Sequence, residues 1–204
     1  MITKSSGQIL DLFKESEIEF LNSILNKLPD AENSGDRLQA YTNGFCNSSL
    51  IYPSINKLVL SKLENYFDVK FKKVEGMLLK EIDPWGIHTD YNKKDFCVDL
   101  AILVPLNLFP INTHTVVFNE ESTDPFNQFK VYNKQLDINA TTLHDTFCSH
   151  ESIENLKYVS LNGVYHWLPG SAIYWGGKVL HASDNFLANG LKEKRALVLF
   201  TTIS

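Results

Sequence analysis

The spacing of apolar residues changes near Val69, from a helical period to a strand-like one. Ser16-Glu17-Ile18-Glu19 fits a capping box, and Ile18, Leu21, Leu25 and Leu28 follow at helical spacing before Pro29 stops the run. Ala31 to Arg37 reads as polar loop. Pro53 opens a second helix that places Ile55, Leu58, Val59, Leu63 and Tyr66 on one face. From Val69 onward the pattern predicts strands at about 69–82, 97–106, 114–119, 128–133, 158–167, 171–175, 179–183 and 195–203. Short strands in this number suit a mainly β fold, a double-stranded β-helix or jelly roll, with the N-terminal helices bracing one of its sheets. Glu120 to Leu161 reads as a long inserted loop of mixed polar residues with few apolar anchors, a candidate lid. No repeat or composition break divides the chain. The expectation is one domain over 1–204, with helical support over 1–68 and a jelly-roll core over 69–204.

Composition narrows the classes of function. A chain of 204 residues with 44% hydrophobic and 21% charged residues can bury one sizeable core. Its net charge of −5 and pI near 5.7 supply no basic field for nucleic acid. Cys46, Cys97 and Cys148 are odd in number and widely spaced, which argues against a disulfide framework or a structural zinc site. The N-terminus starts no apolar signal core, and no run approaches the length of a membrane span, so an intracellular, cytoplasmic location is expected.

Candidate chemistry begins at His88-Thr89-Asp90. In extended chain, residues i and i+2 share a face, so His88 and Asp90 can bind one metal ion while Thr89 points away. Asp83-Pro84-Trp85-Gly86 forms a turn that delivers this triplet. His181 stands after a Pro169-Gly170 turn, a short apolar strand and a Gly176-Gly177 turn, where it opens the next strand. Two histidines and a carboxylate form the ligand set that leaves positions open on non-haem Fe(II). An oxygenase is therefore the leading reading. Arg195 heads the last strand and offers a planar fork that matches a carboxylate.

With these residues in hand, the stretch from Val74 to Ser204 resembles the Fe(II)/2-oxoglutarate-dependent dioxygenases, near their prolyl-hydroxylase-like branch. The resemblance rests on His88-x-Asp90, on His181 in its strand after the turn, and on Arg195 beyond it. His114-Thr115-Val116-Val117-Phe118 also looks like a strand of that family, without the two glycines that usually precede it. The resemblance implies Fe(II), 2-oxoglutarate and O2 as cofactor and co-substrates, with His88, Asp90 and His181 as metal ligands and Arg195 on the far carboxylate of 2-oxoglutarate. It implies oxidation of a substrate coupled to decarboxylation of 2-oxoglutarate to succinate. Because Asp90 is present, hydroxylation or demethylation is favoured over halogenation. The substrate stays open between a peptidyl residue, such as proline, and a small metabolite.

Departures from the family pattern leave choices open. Leu197 stands where many relatives put a serine or threonine, so a second group for the far carboxylate is left among Ser183, Tyr174 and Thr201. Lys80 is a further candidate contact on the strand before the triplet, with a solvated strand lysine as the bland alternative. Lys194 competes with Arg195, since neighbours on a strand face opposite ways and only one can point inward. Thr201 occupies the position where the nucleic-acid demethylases carry a second arginine. The reading from another class is a jelly-roll protein that binds a metal or a sugar, or serves a structural role, without turnover.

Overall fold

The computed structural model describes residues 6–27, 39–41, 53–93, 96–123 and 140–204. Its elements are β1 (Ser6–Ile9), α1 (Glu15–Leu25), β2 (Gln39–Tyr41), α2 (Pro53–Phe67), β3 (Phe71–Glu81), β4 (Asn92–Lys93), β5 (Phe96–Cys97), β6 (Leu100–Pro105), β7 (His114–Glu121), α3 (Ala140–Thr146), α4 (Ile153–Leu156), β8 (Leu161–His166), β9 (Ala172–Gly176), β10 (Val179–Ser183) and β11 (Lys194–Ile203). Two antiparallel sheets face each other. The larger runs β1-β9-β6-β11-β3-β2 and the smaller β10-β7-β8, while β4 and β5 form a separate ribbon. This is the expected jelly roll.

Alternation along the strands divides the apolar residues into three layers. Leu78, Leu100, Ile102, Val104, Tyr174, Leu197 and Leu199 turn to one face of the large sheet and pack under Ile18, Leu21 and Leu25 of α1 and Val59 and Leu63 of α2. The residues between them, Leu79, Ala101, Leu103, Ile173, Trp175, Ala196, Val198 and Phe200, fill the space between the sheets with Val117, Val179 and Trp167. Val116 and Phe118 of β7 and Leu180 and Ala182 of β10 face outward from the small sheet, against Leu143, Cys148 and Leu156 of the α3–α4 segment. The interior between the sheets is where β10 and β11 meet the metal candidates.

Several details differ from the sequence expectations. The start of α1 is set two residues earlier than the Ser16 box: the Lys14 N–H donates to Glu17 Oε2 at 2.7 Å. Tyr66 is exposed rather than packed, because the inward stripe of α2 runs through Val59 and Leu63. The N-terminal region is not purely helical, since β1 extends the large sheet along β9 and β2 flanks β3. Within the stretch read as inserted loop, α3 and α4 form and carry their own apolar face, with Ser152 capping α4 through its hydroxyl. The strand expected at 128–133, and Leu28 of the first helix, lie outside the described residues.

Candidate metal centre

His88, Asp90 and His181 converge. Their ligand atoms all lie within 4.8 Å of one another, and this is the one such group of His, Cys, Asp or Glu among the described residues. His88 sits opposite His181 as an isolated antiparallel bridge, with main-chain hydrogen bonds of 2.9 and 3.0 Å in the two directions. The stretch before β4 thereby adds a fourth rung beside β10. Asp90 follows two residues on, and its N–H donates to the Gly177 carbonyl at 3.1 Å. Gly177 is needed there because a Cβ would collide with the Val98 carbonyl.

The hydrogen bonds around the rings orient them for a ligand. His88 Nδ1 lies 2.8 Å from the Gly86 carbonyl and His181 Nδ1 lies 3.2 Å from the Val179 carbonyl. A carbonyl only accepts, so each Nδ1 carries the proton and each lone pair sits on Nε2. His181 Nε2 is 3.2 Å from Asp90 Oδ2. Trp175 Nε1 donates to that same Oδ2 at 3.2 Å, and its ring lies 4.4 Å from that of His181. Holding a ligand's other atoms in this way is the usual support of a metal site. Two imidazole lone pairs and one carboxylate, preoriented, with Asp90 and His181 buried and His88 partly so, fit a divalent transition metal such as Fe(II).

Arg195 does not join this group. Lys194, Ala196, Val198 and Phe200 form the inward row of β11, while Arg195 shares its face with Leu197 and Leu199 on the helix side. Its guanidinium pairs with Glu193 at 2.8 Å and donates to Asn26 Oδ1 at 2.8 Å, at the end of α1. This corrects the expectation of an inward arginine. Lys80 lies opposite Arg195 and ion-pairs with the same Glu193 at 3.3 Å, and these two cations hold the Glu193 carboxyl below the ordinary carboxylate value against the opposing effect of burial. Lys80 is therefore not an interior contact. Tyr174 also faces the helices, edge-on to Phe67 at 5.0 Å, and burial raises its phenol pKa. Thr201 donates to the Leu100 carbonyl at 2.9 Å on that same side.

Lys194 is the cation inside the barrel, 3% exposed. Its Nζ donates to Ser183 Oγ at 2.5 Å, stands 3.0 Å from Glu81 Oε2 and lies over the Trp167 ring at 4.3 Å and the Phe186 ring at 5.2 Å. Ser183 is two residues beyond His181 on β10, so both point to the same interior face. Of the three helpers left open by the sequence, Ser183 is the one beside the interior cation.

The α3–α4 segment reaches the metal loop as well. Glu151 Oε1 accepts the Ile87 N–H at 2.7 Å, against Gly86, where a Cβ would meet that oxygen. His150 Nε2 lies 3.2 Å from the Trp85 carbonyl, which also accepts the Ser183 N–H at 3.1 Å. No sequence motif marks these residues; they are found only once the segment folds back. His114 and His166 stack at 4.9 Å elsewhere, with His114 Nδ1 3.1 Å from the buried Asp184.

No family model matches the sequence, and no curated protein matches it significantly. Solved structures do. A prolyl-4-hydroxylase of Pseudomonas putida superposes with a TM-score of 0.54 at 10% identity, covering 98% of this chain and 92% of that one. The fold is that of the 2OG-Fe(II) oxygenases. A 2OG-Fe(II) oxygenase family protein of Burkholderia pseudomallei gives a TM-score of 0.57 at 11% identity, over 97% of this chain and 84% of the other. HygX of Streptomyces hygroscopicus, solved with nickel and 2-oxoglutarate, gives 0.54 at 14% identity, over 98% and 82%. No helix among the described residues is long and apolar enough to cross a membrane.

Proposed function

We propose that this chain is an Fe(II)- and 2-oxoglutarate-dependent dioxygenase, with His88, Asp90 and His181 holding the metal. Lys194, in place of Arg195, and Ser183 grip the far carboxylate of 2-oxoglutarate. The observation that carries this reading is the convergence of three preoriented ligands on the interior face that also presents Lys194. Iron bound there would supply open positions for 2-oxoglutarate and dioxygen, the chemistry that couples decarboxylation to oxidation of a substrate.

The chain's own residues do the rest. Trp175 steadies the Asp90 carboxylate, and the two main-chain carbonyls fix the imidazoles. Ser183 stands one strand repeat from His181, about 6.8 Å along β10, a reach comparable to the carbon chain of 2-oxoglutarate. An ammonium suits a far carboxylate as a compact point charge, here beside the fully buried Trp167 and Phe186. The outcome consistent with a complete ligand set is hydroxylation, of a peptidyl residue such as proline or of a small metabolite.

The test is spectroscopic and then chemical. Anaerobic addition of Fe(II) and 2-oxoglutarate should produce the weak visible charge-transfer band of the chelate. In air the protein should release succinate, and His88→Ala and Asp90→Ala should abolish both signals. A second reading, a barrel that binds metal without turnover, is favoured by Glu81, which already neutralises Lys194. Metal binding with no charge-transfer band and no succinate would select it. Candidate substrates are then screened by mass spectrometry for the gain of one oxygen.

A further inference from the structure

Glu81 is a buried titratable group to which the dioxygenase reading gives no role. It lies opposite Lys194 in the β3–β11 pairing, and its side chain is 8% exposed. Oε2 stands 3.0 Å from Nζ as an ion pair and makes no hydrogen bond. Ser183 takes a well-formed hydrogen bond from the same nitrogen. An ammonium has three donors, and the Trp167 and Phe186 rings lie beside it.

The pairing makes the burial of Lys194 tolerable, since a lone buried ammonium is strongly destabilising. It also creates a conflict. A diacid whose far carboxylate enters this corner brings a second anion to a single cation. Two carboxylates beside one ammonium, away from water, leave one of them uncompensated. Glu81 holds Nζ without a hydrogen bond, so an incoming carboxylate that adds one, and is tied down at its metal end, can take its place.

We infer that Glu81 is the internal competitor that the far carboxylate of the co-substrate must displace from Lys194, and that Glu81 thereby sets how tightly the barrel binds diacids. The inference rests on the reading of Lys194 as co-substrate anchor. It makes Glu81 a specificity-determining residue: it disfavours weakly held anions and admits a diacid only when the metal end adds its own binding.

Calorimetric titration of the Zn(II)-loaded protein, which binds without turning over, tests it. Glu81→Gln keeps the shape of the side chain and removes its charge. It should bind 2-oxoglutarate about tenfold more tightly or better, with no change for 2-oxovalerate, which lacks the far carboxylate. Equal or weaker binding of 2-oxoglutarate by Glu81→Gln overturns the inference. Should that variant not fold, the wild-type protein crystallised with Zn(II) and 2-oxoglutarate decides. Glu81 Oε2 should then lie beyond ion-pair reach of Nζ, about 4 Å; a Glu81 still at its present contact beside the bound diacid overturns the proposal. The double variant Glu81→Met/Lys194→Met separates the two readings, because wild-type affinity in that protein would remove Lys194 as anchor altogether.

Discussion

His88 and His181 are joined twice through the main chain, each N–H donating to the other's carbonyl. The two rings then stand on one rung of the small sheet, with centroids 4.2 Å apart. The placing of the two imidazoles is thus built from backbone pairing, and side-chain replacement leaves the pairing in place. His181→Ala and Asp90→Ala should keep cooperative unfolding and the wild-type circular dichroism while losing metal affinity by about 100-fold or more. Titration with Ni(II) or Zn(II) against a competing chelator reads this directly.

Lys194 and Arg195 should behave as opposites despite being neighbours. Lys194→Met leaves Glu81 as an uncompensated buried charge and should cost about 3–5 kcal/mol of stability in urea unfolding. Adding Glu81→Met should recover most of that loss, a coupling that a double-mutant cycle measures. Arg195→Met breaks a half-exposed pair and should cost less than about 1 kcal/mol, with 2-oxoglutarate binding unchanged. Loss of that binding in Arg195→Met alone would reverse the assignment of the anchor.

Glu151 ties the α3–α4 segment to the loop that carries His88 through the Ile87 N–H, and Asn155 Nδ2 donates to its other oxygen at 3.3 Å. Glu151→Ala should lower metal affinity about tenfold by freeing the turn that presents His88. Glu151→Gln retains an acceptor for Ile87 and should stay near wild type. If both variants lose affinity equally, charge rather than loop geometry is responsible.

His150 makes stability depend on pH. Burial, the leading cause, lowers its pKa from the ordinary imidazole value, with the nearby Lys194 adding to the effect and the Trp85 carbonyl, Glu151 and Asp184 opposing it. As pH falls, the unfolded chain takes up the proton first, near pH 6.5. The stabilising contribution is therefore present above about pH 6.5 and lost as pH drops from there toward the lowered folded-state value. His150→Gln, which retains a donor for the Trp85 carbonyl, should flatten this decline in urea melts between about pH 7 and pH 5.

The architecture was readable because periodicity is a local property. Strands β3 and β6 to β11 announced themselves by length, turns and β-branched runs, whereas the two-residue β4 and β5 did not, and His88, Asp90 and His181 stood out by residue type and strand context. Which of the two neighbouring cations faces the interior was not legible, for a physical reason. Strand β11 is central and covered on both faces, so Ala196, Val198 and Phe200 on one side look no different from Leu197 and Leu199 on the other. Alternation therefore showed that only one of Lys194 and Arg195 points inward, and not which. Glu193 and Asn26, which hold Arg195 outside, act through tertiary contact. The α3–α4 helices were missed because they are short and gain their stability from packing on the small sheet rather than from propensity.

The indole of Trp175 lies against the His181 ring and is hydrogen-bonded to Asp90. Its excited state therefore sits within contact range of any ion held there, and a paramagnetic metal should quench its emission where a closed-shell ion would not. Occupancy should then be readable without a label, and Trp175→Phe should reduce the response, leaving the share of Trp85, whose ring lies 5.3 Å from that of His88.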